Sequence, residues 1–178
     1  MRNLVTYSLL SVDGVAEEPG KWVPAFDDAC HANLARLIGA QDTVLLGRHS
    51  YDDWAGYWPT ADTQPFADFI NGVPKNVFTS TRPTVEWVNT ALVDSPAVDF
   101  VRDLKAQPGG TIGVHGSMTL VRTLLDAGLV DEIELVVFPI MVGRGRRLFT
   151  DGAPAHLELA NVRSTPSGAL LVSYRDAR

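Results

Sequence analysis

The chain has 178 residues, enough for one domain with a sizeable core, and its 46% hydrophobic and 20% charged residues read as folded rather than disordered. A net charge of −6 excludes a nucleic-acid partner, because no basic field is there to release counterions, so any bound anion must be gripped by a few local groups. Cys30 is the only cysteine, which excludes an intramolecular disulfide and fits a reducing, cytoplasmic setting.

Residues 3–12 read as a mostly apolar strand ending at the turn Asp13-Gly14. Its run Leu4–Leu10 is too short and polar for a secretion signal. No apolar run in the chain approaches the ~18 residues a membrane helix needs, so no membrane partner is expected. Residues 14–24 form a loop with Pro19, Gly20, Trp22 and Pro24, and a helix is predicted from Asp27 to Ile38, ended by Gly39. Thr43–Gly47 is a short, fully apolar strand, as expected inside a sheet covered on both faces. Arg48–Trp54 reads as one or two helical turns, 55–65 as irregular loop and 66–71 as a short helix. Strands follow at Lys75–Thr79 and Asn89–Val93. Ser95-Pro96 opens a helix that runs to Gln107. Residues 111–115 form a strand, 117–127 a helix closed by Gly128, and Glu132–Val137 a further strand. Pro139–Phe149 is a loop or bulged crossing, and 156–163 with 169–175 make a closing antiparallel hairpin around Pro166-Ser167-Gly168. Strand–helix alternation with a β-rich end predicts one α/β domain: a three-layer fold with a mixed, mostly parallel central sheet and helices on both faces.

Several common chemistries are missing. Gly143-Arg144-Gly145-Arg146-Arg147-Leu148 lacks the third glycine of a dinucleotide fingerprint, and no phosphate-binding G-x-x-x-x-G-K-[ST] or G-x-S-x-G elbow occurs. His156-Leu157-Glu158 mimics a deaminase H-x-E, but no P-C-x-x-C follows. The four histidines share no ligand spacing, so no metal site is expected. A paired-carboxylate hydrolase built on Asp52 and Asp53 is disfavoured, since adjacent helical residues point apart. What remains is chemistry brought by an organic cofactor.

Three strand ends supply a place for one. Leu46-Gly47-Arg48-His49-Ser50-Tyr51, Phe78-Thr79-Ser80-Thr81-Arg82 and Val114-His115-Gly116-Ser117 each turn from apolar to small or basic. If the strands are parallel neighbours, these ends line one crevice. The strand before Gly116 feeds directly into a helix N-terminus, whose free N–H groups and dipole suit a phosphate; an ordinary cap is the other reading. Arginine forks match phosphate oxygens. A pyrophosphate ligand with one further phosphate, such as NADPH, would use all of these groups.

The same residues carry a family resemblance. Gly47-Arg48-His49-Ser50 resembles the G-R-x-[ST] element of dihydrofolate reductases. Ser11-Val12-Asp13-Gly14-Val15-Ala16 resembles the S-x-D-G-x-[IA] element of the reductase domain of the bifunctional riboflavin-biosynthesis deaminase/reductase. His115-Gly116-Ser117 lies where the family often has Gly-Gly-[SA], and Leu129-Val130-Asp131-Glu132 through Pro139, Gly143, Gly145 and Leu148-Phe149 is similar to that domain's tail. The resemblance covers nearly the whole chain and implies a stand-alone, dihydrofolate-reductase-like, NADPH-dependent oxidoreductase. It implies that Gly47, Arg48, His49 and Ser50 hold the pyrophosphate and adenosine side of NADPH. Thr79, Ser80 and Arg82 would serve the 2′-phosphate, and Gly116, Ser117, Met118 and Thr119 would cradle the pyrophosphate. Asp13 and Gly14 would lie near the nicotinamide and substrate. Because His115 replaces the first glycine of the pair that a cis peptide joins in dihydrofolate reductases, a trans, differently shaped loop is expected.

Dihydrofolate reductases carry a carboxylate at the start of the first helix, shortly after a tryptophan, and Trp22 through Asp27 is similar. This implies that Asp27 anchors the substrate and helps deliver a proton, with Asp13 and Asp28 as rivals and Trp22 and Tyr51 at the substrate. The run Tyr51, Trp54, Tyr57, Trp58 either stacks a flat heterocycle or is core and dimer contact. The implied substrate is a pterin-like or ribosylaminouracil-like small molecule. The alternative is a non-catalytic nucleotide- or heterocycle-binding protein on the same fold. Finally, the apolar excess in 129–149 predicts a homodimer.

Overall fold

The computed structural model describes residues 1–150 and 154–176. Eight strands form one sheet: β1 (Leu4–Ser11), β2 (Gln41–Gly47), β3 (Lys75–Phe78), β4 (Thr90–Val93), β5 (Thr111–Val114), β6 (Glu132–Phe138), β7 (Leu157–Ser164) and β8 (Leu170–Asp176). Their order is β4-β3-β2-β5-β1-β6-β8-β7. The first six are parallel, and β8 pairs antiparallel with both β6 and β7. Five helices connect them: α1 (Asp28–Gly39), α2 (Arg48–Ala55), α3 (Phe66–Gly72), α4 (Ala97–Ala106) and α5 (Met118–Asp126). The expected elements are all present. The largest shift in bounds is β2, which starts at Gln41 rather than Thr43.

The helices cover the sheet because each presents an apolar stripe to it. One core layer joins Val101 and Leu104 of α4 and Leu120, Val121 and Leu124 of α5 to Leu4, Ile112, Ile133 and Leu135. On the other face Leu34 and Ile38 of α1, Tyr51 of α2 and Phe66 and Ile70 of α3 pack on Val44, Leu46 and Val77. A third group, with Cys30, Val136, Phe138 and Leu171, continues that layer toward β8.

The apolar excess of 129–149 has a simpler cause than an interface. β6 is an interior strand between β1 and β8, not a domain edge. Ile133 and Leu135 face one core layer and Val136 and Phe138 the other, so both faces are already covered. That argument for a dimer therefore fails.

Candidate functional site at the carboxyl ends of the parallel strands

Strand lengths create the site. β5 stops at Val114, opposite Thr6 of β1 and Leu45 of β2. β1 runs on beside β6 as far as Ser11, opposite Phe138, and β2 runs on to Gly47, opposite Phe78. The strands flanking β5 thus outreach it and leave a notch. Its floor is His115-Gly116-Ser117, leading into α5, where Ser117 is the N-cap and its hydroxyl accepts from Leu120 N. This is the crevice where open α/β sheets take ligands.

The two expected phosphate-binding elements meet at this floor. Gly47 N donates to Gly116 O at 3.1 Å. A Cβ on Gly47 would stand 2.5 Å from Ser117 Oγ, and one on Gly116 would stand 2.6 Å from Ser50 Oγ. Gly116 also has φ +153°, in the region where a side chain is strained. At both positions a serine side chain of the facing element occupies the space a Cβ would take, and at Gly116 the backbone conformation itself favours glycine. The His115–Gly116 peptide is trans, and the cis bond lies one residue later, between Gly116 and Ser117.

Arg48 opens α2 and reaches across to the exit of β3. Its guanidinium donates to Thr81 O at 2.8 Å, Thr81 Oγ1 at 2.7 Å and Thr79 Oγ1 at 3.2 Å. Asp52, one turn on, takes its Nε at 2.7 Å. An anion at Arg48 would share that charge with Asp52. His49 Nδ1 lies 3.0 Å from Asp53, in an exposed pair. Arg82 stands on the same β3 exit loop, exposed and paired with Glu86 at 2.5 Å. Ser80 and Thr119 are exposed, and Met118 is half-buried.

The opposite bank is built by carboxylates. Asp13 accepts from Ser11 Oγ at 2.7 Å, Val142 N at 3.0 Å and Gly143 N at 2.8 Å. The Ser11 hydroxyl first, then the two backbone N–H groups, hold its carboxyl at about 2. Glu17 takes Arg146 Nε at 2.6 Å and Arg146 N at 3.1 Å. Val15 bridges Arg147, and Ala16 N donates to Arg146 O. The Ser11–Glu17 turn and the 140–148 loop are thereby laced into one rim.

Asp27 ties two elements together. It is the N-cap of α1, accepting from Cys30 N at 2.9 Å, and its other oxygen accepts from Ser167 N at 2.9 Å in the β7–β8 turn. The Cys30 and Ser167 N–H groups hold its carboxyl well below the usual carboxylate range. Asp28 is exposed in the first turn. Trp22 donates to Glu17 O at 2.7 Å and meets Phe138 edge-on. Tyr51 lies away from any ligand surface: it is buried, donating to Val85 O and accepting from Trp87 N, each at 2.9 Å. Trp54 and Trp58 pack on Phe66, so much of that aromatic run is core.

Two features of the notch escaped sequence reasoning. His115 Nε2 lies 2.7 Å from Gln41 Oε1, and burial lowers the imidazole to about 4, leaving it neutral. Gln41 reaches it across Gly113, where a Cβ would fall 1.9 Å from Gln41 Oε1. A glycine inside a strand was the available signal of such close passage. Beside it, the buried Tyr7 hydroxyl of β1 has no hydrogen-bond partner among the described residues. A cavity of about 520 Å³ opens at the far end of the sheet, lined by Asn3, Gly128, Asp131, Glu132, Arg175 and Asp176. It holds none of the expected site residues. Among the described residues, no helix is long and apolar enough to cross a membrane.

Comparison with known proteins agrees with this layout. The model of the RibD C-terminal domain family matches residues 2–171. The uncharacterized protein YyaP of Bacillus subtilis (strain 168) is 32% identical over 139 residues, 75% of this chain and 73% of that protein. The crystal structure of a putative riboflavin biosynthesis protein from Shewanella sp. PV-4 superposes with a TM-score of 0.79 at 20% identity, covering 99% of both chains. A diaminohydroxyphosphoribosylaminopyrimidine deaminase/5-amino-6-(5-phosphoribosylamino)uracil reductase from Thermotoga maritima gives 0.70 at 18% identity, covering 99% of this chain and 57% of that one. These two structures share the fold.

Proposed function

Because this chain belongs to the RibD C-terminal domain family, we propose that it is an NADPH-dependent reductase of a flat, pterin-like or ribosylaminouracil-like heterocycle. The observation that carries the reading is the mutual fit of Gly47 and Ser50 with Gly116 and Ser117 at the head of α5. A helix N-terminus opening from that close packing suits a pyrophosphate. Arg48, His49 and the Thr79–Arg82 turn would hold the adenosine side, with Arg48 and Arg82 nearest in chemistry to a 2′-phosphate. When bound, NADPH supplies a hydride.

In this reading the chain's own groups position the reactants. Asp13 and Asp27 are ionised anchors: Asp13 holds the 140–148 loop at the notch, and Asp27 ties α1 to the β7–β8 turn. The proton that accompanies the hydride would then come from water rather than from either carboxylate.

The test has two parts. Calorimetric titration with NADPH and NADH measures binding. Loss of reduced nicotinamide absorbance with 7,8-dihydrofolate or a 5-amino-6-ribosylaminouracil measures turnover. NADPH binding with oxidation supports the proposal, and absence of binding at millimolar cofactor overturns it. Binding without oxidation of NADPH by either compound transfers the chain to the non-catalytic alternative.

A further inference from the structure

His115, half-buried at the end of β5, has one ring nitrogen engaged and the other free. Its Nε2 lies 2.7 Å from Gln41 Oε1. Gln41 is buried at the start of β2, where the ladder with β5 shifts register between Gln41 and Thr43, the kind of irregularity that re-aims a side chain. The amide runs along the sheet over Gly113, whose missing side chain leaves the passage: a Cβ there would stand 1.9 Å from Oε1 and 2.4 Å from Cδ. Around the imidazole stand the rings of Tyr7, Phe66 and Phe69, with centroids at 6.2, 5.4 and 5.9 Å. None of them carries a charge, since burial pushes the Tyr7 phenol far above its usual range. Among the described residues, the buried side-chain polar atoms without a partner are Thr6 Oγ1, Tyr7 Oη and Trp58 Nε1. His115 Nδ1 is not one of them, and the ring's hydrogen bond is made through Nε2, so Nδ1 meets open space.

On the reading that the notch takes a flat heterocycle, we propose that Gln41 is a positioning residue. It holds the His115 ring in one orientation and one tautomer, so that Nδ1 offers the notch an uncharged hydrogen-bond acceptor, which selects a heterocycle presenting a ring N–H. The two nitrogens of an imidazole are distinct, and the partner of one decides the role of the other. An amide oxygen only accepts, so Nε2 carries the hydrogen and Nδ1 keeps its lone pair. Burial among uncharged rings lowers the imidazole to about 4, so no proton occupies that lone pair at neutral pH. A lactam N–H of a neutral ring matches Nδ1 in charge and in hydrogen-bonding sense. A ring methylated at that nitrogen has no hydrogen to give and leaves the acceptor unpaired.

Two measurements test this, and the first needs neither cofactor nor turnover. Nitrogen NMR of isotope-labelled protein distinguishes ring nitrogens with and without hydrogen, and the His115 signals are those missing from His115→Phe. The wild type is expected to show Nε2–H and a bare Nδ1 at neutral pH, and a hydrogen on Nδ1 overturns the proposal. The second measurement titrates pteridine-2,4-dione, which has a hydrogen on each lactam nitrogen, and its 1,3-dimethyl derivative, which has none, into the chain with and without NADP+. The parent ring is expected to bind about tenfold more tightly. Gln41→Leu should release the imidazole and shrink that gap. Gln41→Glu still accepts from Nε2–H, so it should restore the gap while raising the pH at which the ring gains its second proton. Equal wild-type affinities, or no binding of either ring at millimolar concentration, overturns the proposal. So does a gap that Gln41→Leu or His115→Phe leaves intact, or one that Gln41→Glu does not restore. NADPH affinity comes from its own titration, so a failed cofactor reading is seen apart from a failure here.

Discussion

Gly116 is the residue on which most of the site depends. Its φ of +153° and the 2.6 Å separation that a Cβ would have from Ser50 Oγ leave no room for a side chain. Gly116→Val is expected to abolish NADPH binding while α5 stays folded, since Leu120, Val121 and Leu124 still bury. Circular dichroism and calorimetry check this: a folded variant with unaltered affinity would place the nucleotide elsewhere. His115 makes a second prediction. Its imidazole titrates at about 4 in the folded chain against 6.5 when unfolded, because burial disfavours the cation. The unfolded state therefore takes up the proton first, and stability falls as pH drops from 6.5 toward 4. The loss is at most about 3 kcal/mol. Denaturant titrations across that window are expected to show a steep fall for the wild type and a flatter one for His115→Phe, which has no proton to take up.

The element that organises the cofactor side is the α2 N-terminus lying against the exit of β3. Arg48 ties the two through Thr79 and Thr81. Arg82 is free of that tie and pairs with Glu86. The chain is expected to bind NADPH more tightly than NADH. Arg82→Ala should then cost NADPH about 1.5–3 kcal/mol, the range for hydrogen bonds to charged groups, and leave NADH nearly unchanged. Arg48→Ala should weaken both cofactors, because it also loosens the turn. Parallel titrations with the two cofactors separate these outcomes, and equal NADPH and NADH affinities in the wild type would remove the phosphate-reading role.

At the scale of the whole molecule, the fold was largely legible because its signals are local. Apolar β-branched runs gave β2, β5 and β6, and the Ser117 cap with a Leu120–Val121–Leu124 stripe gave α5. The resemblance of Gly47–Ser50 and His115–Ser117 to known elements singled out two segments that the sheet order then placed side by side. What the sequence hid are contacts between distant positions. Asp27 reads as a good first-turn acid, and nothing nearby reveals that its second oxygen is taken by Ser167. Tyr51 looks like a stacking ring until the loop carrying Val85 and Trp87 closes over it. Burial that depends on neighbours is hidden too: the apolar excess of 129–149 is absorbed because β8 returns beside β6, and the sequence of β7 carries no sign that its apolar face points outward.

The far end of the sheet has a consequence of its own. β1 starts there, and β8, running against β6, finishes there, so Asn3 and Asp176 line one cavity. Those two residues, near the limits of the described chain, are therefore spatial neighbours, on the side of the molecule away from the notch. Chains built this way tolerate re-ordering of their sequence. A permuted gene that joins Arg178 to Met1 by a short glycine-serine bridge and begins at Thr63, in the exposed 62–64 loop, should still fold. It is expected to keep its NADPH affinity, because no contact at the notch is cut. Fusion partners or surface tethers attached at either original end should likewise leave the cofactor's approach open.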